Sequence, residues 1–200
     1  MARYLSEAIE TILITLLVFI ILQTTIQNFQ VQGSSMKPTL MPNDRIVVNK
    51  IPTFRIPLGP IGSLIPWFNL NSEREYYIFG LPDRGSTIVF KSPDESGQDL
   101  VKRIIGIPGD NISIHDGTVF VNENQLTEPY IEWQGSSDMS ILQVPENHYF
   151  VLGDNRPWSN DSRHWNFTFV EESLIIGKAW IVYWPRDRVS ILRNQSAEND

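Results

Sequence analysis

From Thr11 to Met36 the chain carries no charged residue, and a run of that length is at ease only in a protein core or in a bilayer. Its first part, Thr11 to Leu22, is almost wholly apolar. With Ala8, Ile9 and the weaker stretch from Gln23 to Phe29, it makes a helix of about 20 residues, enough to cross about 30 Å of hydrocarbon. A cleavable export signal has a similar apolar centre but ends at a small-x-small site. No alanine occurs between Ala8 and Ala179. The segment therefore reads as an uncleaved anchor, ahead of a cleaved signal or an amphipathic core helix. Arg3 and the amino terminus, set against a far side with no basic residue before Lys37, place the N-terminus in the cytoplasm.

Beyond residue 40 the pattern changes to short strands: Arg45 to Asn49, Ser86 to Phe90, Leu100 to Ile107, Asn111 to His115, Thr118 to Asn122, His148 to Leu152 and Leu174 to Tyr183. Alternation and β-branched content carry these assignments. Asp116-Gly117 joins two of them as a two-residue turn whose positive φ angles suit a tight hairpin. Thirteen prolines and twelve glycines, scattered among strands this short, leave little room for further long helices. The part beyond the anchor is expected to be mainly β. Residues 52–79 are rich in aromatic, aliphatic, proline and glycine residues, and such a stretch either dips into the lipid interface or folds over the core.

With 200 residues, 42% of them hydrophobic, the chain suits one globular domain plus an anchor. Its net charge of −7 argues against a nucleic-acid partner, whose phosphates demand clustered positive charge. Absence of cysteine removes disulfides, thiolate nucleophiles and Cys-based zinc sites.

Three patches carry chemistry. Ser35 sits in Gly33-Ser34-Ser35-Met36-Lys37-Pro38-Thr39-Leu40, and a serine needs a base to take its proton before it attacks a carbonyl. His115, His148 and His164 are the only histidines, and none lies in a motif that suits a triad. A lysine can serve if burial lowers its pKa from about 10.4 toward 7 or 8, at a cost of about 3 to 4 kcal/mol. Lys102, in Leu100-Val101-Lys102-Arg103-Ile104-Ile105, has apolar neighbours for that role. Strand alternation turns Lys102 and Arg103 to opposite faces and leaves Arg103 free to face water. The third patch is Gly153-Asp154-Asn155-Arg156-Pro157-Trp158-Ser159-Asn160-Asp161-Ser162-Arg163-His164-Trp165. Alone it is an ordinary Asx-rich turn; beside a reactive serine and lysine it can brace a site.

Taken together, these patches resemble those of the type I signal peptidases, membrane-bound Ser/Lys leader peptidases that remove signal peptides from exported proteins. Gly33 to Leu40 is similar to the family's nucleophile box, Asp44-Arg45-Ile46-Val47-Val48-Asn49-Lys50 to the strand box after it, Lys102 to Asp110 to the lysine box and Gly153 to Arg163 to the last box, in the family's order. The resemblance implies Ser35 as nucleophile and Lys102 as general base, with Ser159 holding the lysine amine and Asp161 and Arg163 bracing the site. It implies shallow pockets fitted to alanine and lined by Val31, Met36, Leu40 and Val101, and an extended substrate added as a strand. It also implies an oxyanion held by the Ser35 N–H. Family members often add a serine hydroxyl two residues before the nucleophile, where this chain has Gly33. Pro157-Trp158 stands where the family commonly has Asp-Asn, and Asn166 where it has glycine.

The expectation is thus a mainly β chain with a signal-peptidase-like domain of coiled antiparallel sheets and one N-terminal transmembrane helix. Residues 1–28 would form the cytoplasmic N-terminus and anchor, and residues 29–200 a catalytic domain on the far side, with 52–79 as an insert either at the membrane interface or over the core. It would act as a monomer, without metal or cofactor, on signal peptides of preproteins at a lipid bilayer. Two rivals are a self-cleaving Ser/Lys repressor-type protease and a non-catalytic single-pass β module that binds exported peptides. The first should carry a DNA-binding helix-turn-helix where this chain is apolar, and the second needs neither Ser35 nor Lys102.

Overall fold

The computed structural model describes residues 2–50, 55–56, 76–77, 82–94 and 97–194. It begins with helix α1, Ala2–Thr25. Residues Ser6–Thr25 have a mean hydropathy of 2.0, and none of the side chains described there is buried against protein. Leu13 and Phe19 are 59% and 57% exposed, a state water penalises and hydrocarbon does not. The hydroxyls of Thr11, Thr15 and Thr24 donate to the carbonyls four residues earlier, so the helix satisfies its own polar groups.

No loop follows. Strand β1, Ile26–Gln30, starts at the next residue, so the strand takes over part of what sequence pattern assigned to the anchor. Its partner is β2, Arg45–Asn49. After the two-residue strands β3, Arg55–Ile56, and β4, Tyr76–Tyr77, which pair with each other, come β5, Thr87–Lys91, and β6, Asp99–Gly106. Most of the 52–79 stretch lies outside the described residues.

Next are β7, Asn111–His115, β8, Thr118–Val121, β9, Asn124–Gln125, and β10, Met139–Gln143. The last group is β11, His148–Leu152, β12, Val170–Glu171, β13, Ile175–Trp184, and β14, Ser190–Ile191. Every described strand pairing is antiparallel. One sheet runs β1-β2-β13-β5-β6-β11-β12 with β14 added to β13, and a second runs β10-β7-β8-β9. The chain is mainly β, as its pattern predicts.

The β7–β8 hairpin turns on Asp116 and Gly117, at φ 46° and 76°. Both angles fit the left-handed turn that follows the twist of the strands. Along β6 the pairing divides the strand in two. Arg103, Ile104 and Gly106 pair with β11 on one side and the strand pairs with β5 on the other, whereas Asp99 to Lys102 pair with β5 alone among the described residues. Among the described residues, that half of β6 therefore has a free edge. The core beside it gathers Val31, Met36, Leu40, Ile46, Val48 and Val89.

Candidate active site

Ser35 lies in the turn between β1 and β2, held from both ends. Met36 and Leu40 are 1% and 0% exposed, so their side chains pin the turn to the core, and the Leu40 N–H donates to the Met36 carbonyl. On the other side the Asn155 N–H donates to the Ser35 carbonyl at 2.9 Å, and Asn155 Nδ2 donates to the Ser34 carbonyl at 3.0 Å. Among the described residues the Ser35 N–H donates to no protein group, which leaves it available to a ligand.

Lys102 reaches this turn from the free-edged half of β6. Its Nζ lies 2.6 Å from Ser35 Oγ, in hydrogen-bond contact, and the residue is 4% exposed. Burial pulls the amine down from 10.5 to about 8, because desolvation penalises the ammonium form. Asp161 and Asp154 push it back up and Arg163 pushes it down, all by charge. Of the histidines, His164 sits against Asp161 Oδ1 at 3.8 Å with its side chain 54% exposed, and none of the three lines the cleft at Ser35.

Asp161 and Arg163 form the expected ion pair, with Arg163 Nε to Asp161 Oδ1 at 2.8 Å and Nη2 to Oδ2 at 2.9 Å. Arg163 Nη2 also donates to the Arg156 carbonyl at 2.7 Å, and the Gly153 N–H donates to Asp161 Oδ2 at 3.0 Å. Burial pushes the Asp161 carboxyl up, but Arg163, the Gly153 N–H and the nearby Ser159 hydroxyl outweigh it and hold the carboxyl below its usual range. Ser159 Oγ is enclosed and makes no hydrogen bond of normal geometry, so the bond to the lysine amine implied by the family resemblance is not formed here. Ser159 packs against Gly153 instead. A Cβ on Gly153 would lie 2.2 Å from Ser159 Oγ and 2.5 Å from the Ser35 carbonyl oxygen.

A cleft of about 640 Å³ opens beside Ser35 and Lys102, lined on one wall by residues 28–33 and on the other by 98–102. Val31, Met36 and Val101 line it as expected. Leu40 does not: it is wholly buried and packs in the core cluster behind Met36.

The largest departure from expectation is Arg103. Alternation does turn it away from Lys102, but that face is covered too, and Arg103 is 1% exposed. Its Nε donates to Asp154 Oδ1 at 2.9 Å and Nη2 to Asp154 Oδ2 at 2.7 Å, while Nη1 donates to the Gly85 carbonyl at 2.8 Å. The Tyr130 ring lies 3.9 Å from the guanidinium carbon, and Thr39 Oγ1 donates to Asp154. A second buried pair, Arg156 with Glu128, adds Tyr130 OH donating to Glu128 at 2.8 Å. Sequence reading missed this layer. The available signal was the apolar run Leu100, Val101, Ile104, Ile105, Ile107, which marks a strand buried on both faces.

Residues 5–184 match the model of a protein family described as signal peptidase, peptidase S26. A probable signal peptidase I-2 of Synechocystis is 34% identical over 171 residues, which cover 83% of this chain and 66% of that protein. The signal peptidase I P of Bacillus subtilis subsp. natto is 32% identical, with 90% of each chain covered. A crystal structure of a signal peptidase I from Enterococcus faecalis is 36% identical, covering 48% of this chain and 95% of that one at a TM-score of 0.44. By the match along nearly its whole length, the chain belongs to the signal peptidase family, peptidase S26, a family of serine hydrolases.

Proposed function

We propose that this protein is a membrane-anchored endopeptidase that removes signal peptides from preproteins by a Ser35/Lys102 dyad. The observation that carries the reading is the 2.6 Å separation of Ser35 Oγ and Lys102 Nζ, with the amine lowered to about 8 by burial. In its neutral form Lys102 takes the proton of Ser35 as Oγ attacks the scissile carbonyl. The oxyanion is received by the Ser35 N–H. The resulting ammonium passes its proton to the leaving amine, and a water then releases the acyl group with Lys102 again as base. Asp161 and Arg163 hold the Gly153–Arg163 loop, and through Asn155 that loop holds Ser35.

The substrate would lie extended between residues 28–33 and the free edge of Asp99 to Lys102, adding a strand there. Val31, Met36 and Val101 restrict the side chains near the cut to small ones such as alanine, because a bulky group would clash with a packed wall. Helix α1 would cross the bilayer with its N-terminus in the cytoplasm and the catalytic domain on the far side, acting as a monomer. To test this, the full chain in detergent is incubated with a preprotein bearing a small-x-small cut site. Ser35→Ala and Lys102→Ala should each lower processing by about 10³-fold or more. Processing that survives either change overturns the dyad.

A further inference from the structure

The Gly153–Arg163 loop presents a second surface that the dyad does not use. On its inner side Asn155 holds Ser35; on its outer side Trp158 is 77% exposed. The Trp158 backbone N–H donates to the Asn155 carbonyl at 3.0 Å, so the main chain that carries this indole is tied to the residue that grips Ser35. Facing it is Trp133, 57% exposed, and the two share a cleft of about 650 Å³ with Glu132, Gln134, Gly135 and Pro157. The two walls lie close: a Cβ added to Gly135 would come within 3.9 Å of Arg156 Cβ and 4.0 Å of Pro157 Cγ. Glu132 forms no ion pair among the described residues, while the adjacent cation Arg156 is already committed to Glu128.

We propose that this cleft binds a basic side chain in the segment that follows the scissile bond. The inference rests on the preceding functional reading, since it concerns the same substrate. The cleft at 28–33 and 98–102 accommodates the segment before the cut and includes no residue of 132–135 or 153–163. The Gly153–Arg163 loop borders Ser35 outside that cleft, through the Asn155 bonds to the Ser34 and Ser35 carbonyls, and in the proposed path the segment after the cut passes over it. At about 3.3 Å per residue an extended chain reaches the far side of a loop within a few positions. Two exposed indoles and a carboxylate without an ion pair among the described residues suit a cation there, the rings through the negative potential above a ring face and the carboxylate by charge. The net charge of −7 favours the same choice.

The test uses the full chain in detergent and three peptides with identical residues before the cut. One ends a single residue after it in a reporter; the others continue for eight residues, with lysines or glutamates at the third to sixth positions. Wild type should prefer the lysine peptide over the glutamate peptide by about three- to tenfold in kcat/KM. Trp133→Ala and Glu132→Gln should each erase most of that preference and leave the short peptide's turnover intact. A preference absent from wild type, or retained in both variants, overturns the proposal. Binding without turnover is read from the fluorescence of Ser35→Ala protein titrated with the eight-residue lysine segment: saturable binding lost in the added Trp133→Ala change supports the site, and no binding overturns it. Cleavage that persists in Ser35→Ala would instead overturn the dyad, a separate result.

Discussion

Arg103 and Asp154 form a two-pronged ion pair in which each side chain is 1% exposed. Arg103 follows Lys102 on β6 and Asp154 precedes Asn155, so the pair locks the strand that carries the amine to the loop that grips Ser35. Removing one partner leaves the other as an uncompensated buried charge, which typically costs about 3–5 kcal/mol. Arg103→Ala is expected to lower stability by that amount in chemical denaturation, well beyond what loss of a surface arginine would do. A loss under about 1 kcal/mol would contradict it.

Under the proposed dyad, the amine of Lys102 sets the pH response of turnover. With its value near 8, the neutral fraction grows about tenfold per pH unit below that point and levels off above it. The rate of peptide cleavage, kcat/KM, should therefore rise with pH along a single limb whose midpoint is near 8. A midpoint near 6.5 would point to a histidine in place of the lysine.

Stability carries the opposite side of the same shift. An unfolded lysine titrates near 10.5 and the folded one near 8. Below pH 8 both are charged, so folding bears the full desolvation cost, about 3 kcal/mol. Between 8 and 10.5 the unfolded chain binds more protons, and stability climbs by this contribution as pH rises. Lys102→Met, of similar length and apolar, should be inactive yet more stable at pH 7 by about 1–3 kcal/mol. A lower denaturation midpoint than wild type would refute this.

Gly153 is expected to tolerate no side chain. Its Cβ would fall on the Ser159 hydroxyl and the Ser35 carbonyl, and displacement of about 1 Å at a reacting group can cost about 10²-fold. Gly153→Ala should lose at least that much in kcat while the far-ultraviolet spectrum of the β-sheets persists.

Gly33 has the reverse character, since a Cβ there would meet nothing within 4 Å. Room exists for the hydroxyl that the family commonly places at this position. Gly33→Ser should raise kcat by about tenfold as a second donor to the oxyanion, with no loss of thermal stability. A drop in kcat would show that another group already fills the role.

Much of this architecture was legible in the sequence because short strands announce themselves through turns. Residues 45–49, 111–115 and 148–152 were expected as strands and are strands, and Asp116-Gly117 fixes the hairpin. β1 was hidden because Ile26–Gln30 continues the uncharged run of the helix, so composition draws no border between them. β10 was missed because four of its five residues are exposed, which removes the alternation that marks a half-buried strand. At the site, the Ser35–Lys102 contact followed from motif order, whereas the burial of Arg103 depends on Asp154, 51 residues away. A period-two pattern reports which way a side chain points, not whether something covers it.

The direct passage from α1 into β1 has a mechanical consequence. With no tether between rod and sheet, the cleft has no slack with which to search for a cut site. If α1 spans the bilayer as proposed, the cleft would work at one fixed standoff from the end of the rod, ten positions along the chain from Thr25 to Ser35. Clients would then be sorted by spacing as well as by side-chain size: the bond presented must sit at the matching height above the client's own apolar stretch, and one set too close or too far would escape even with the right residues around it.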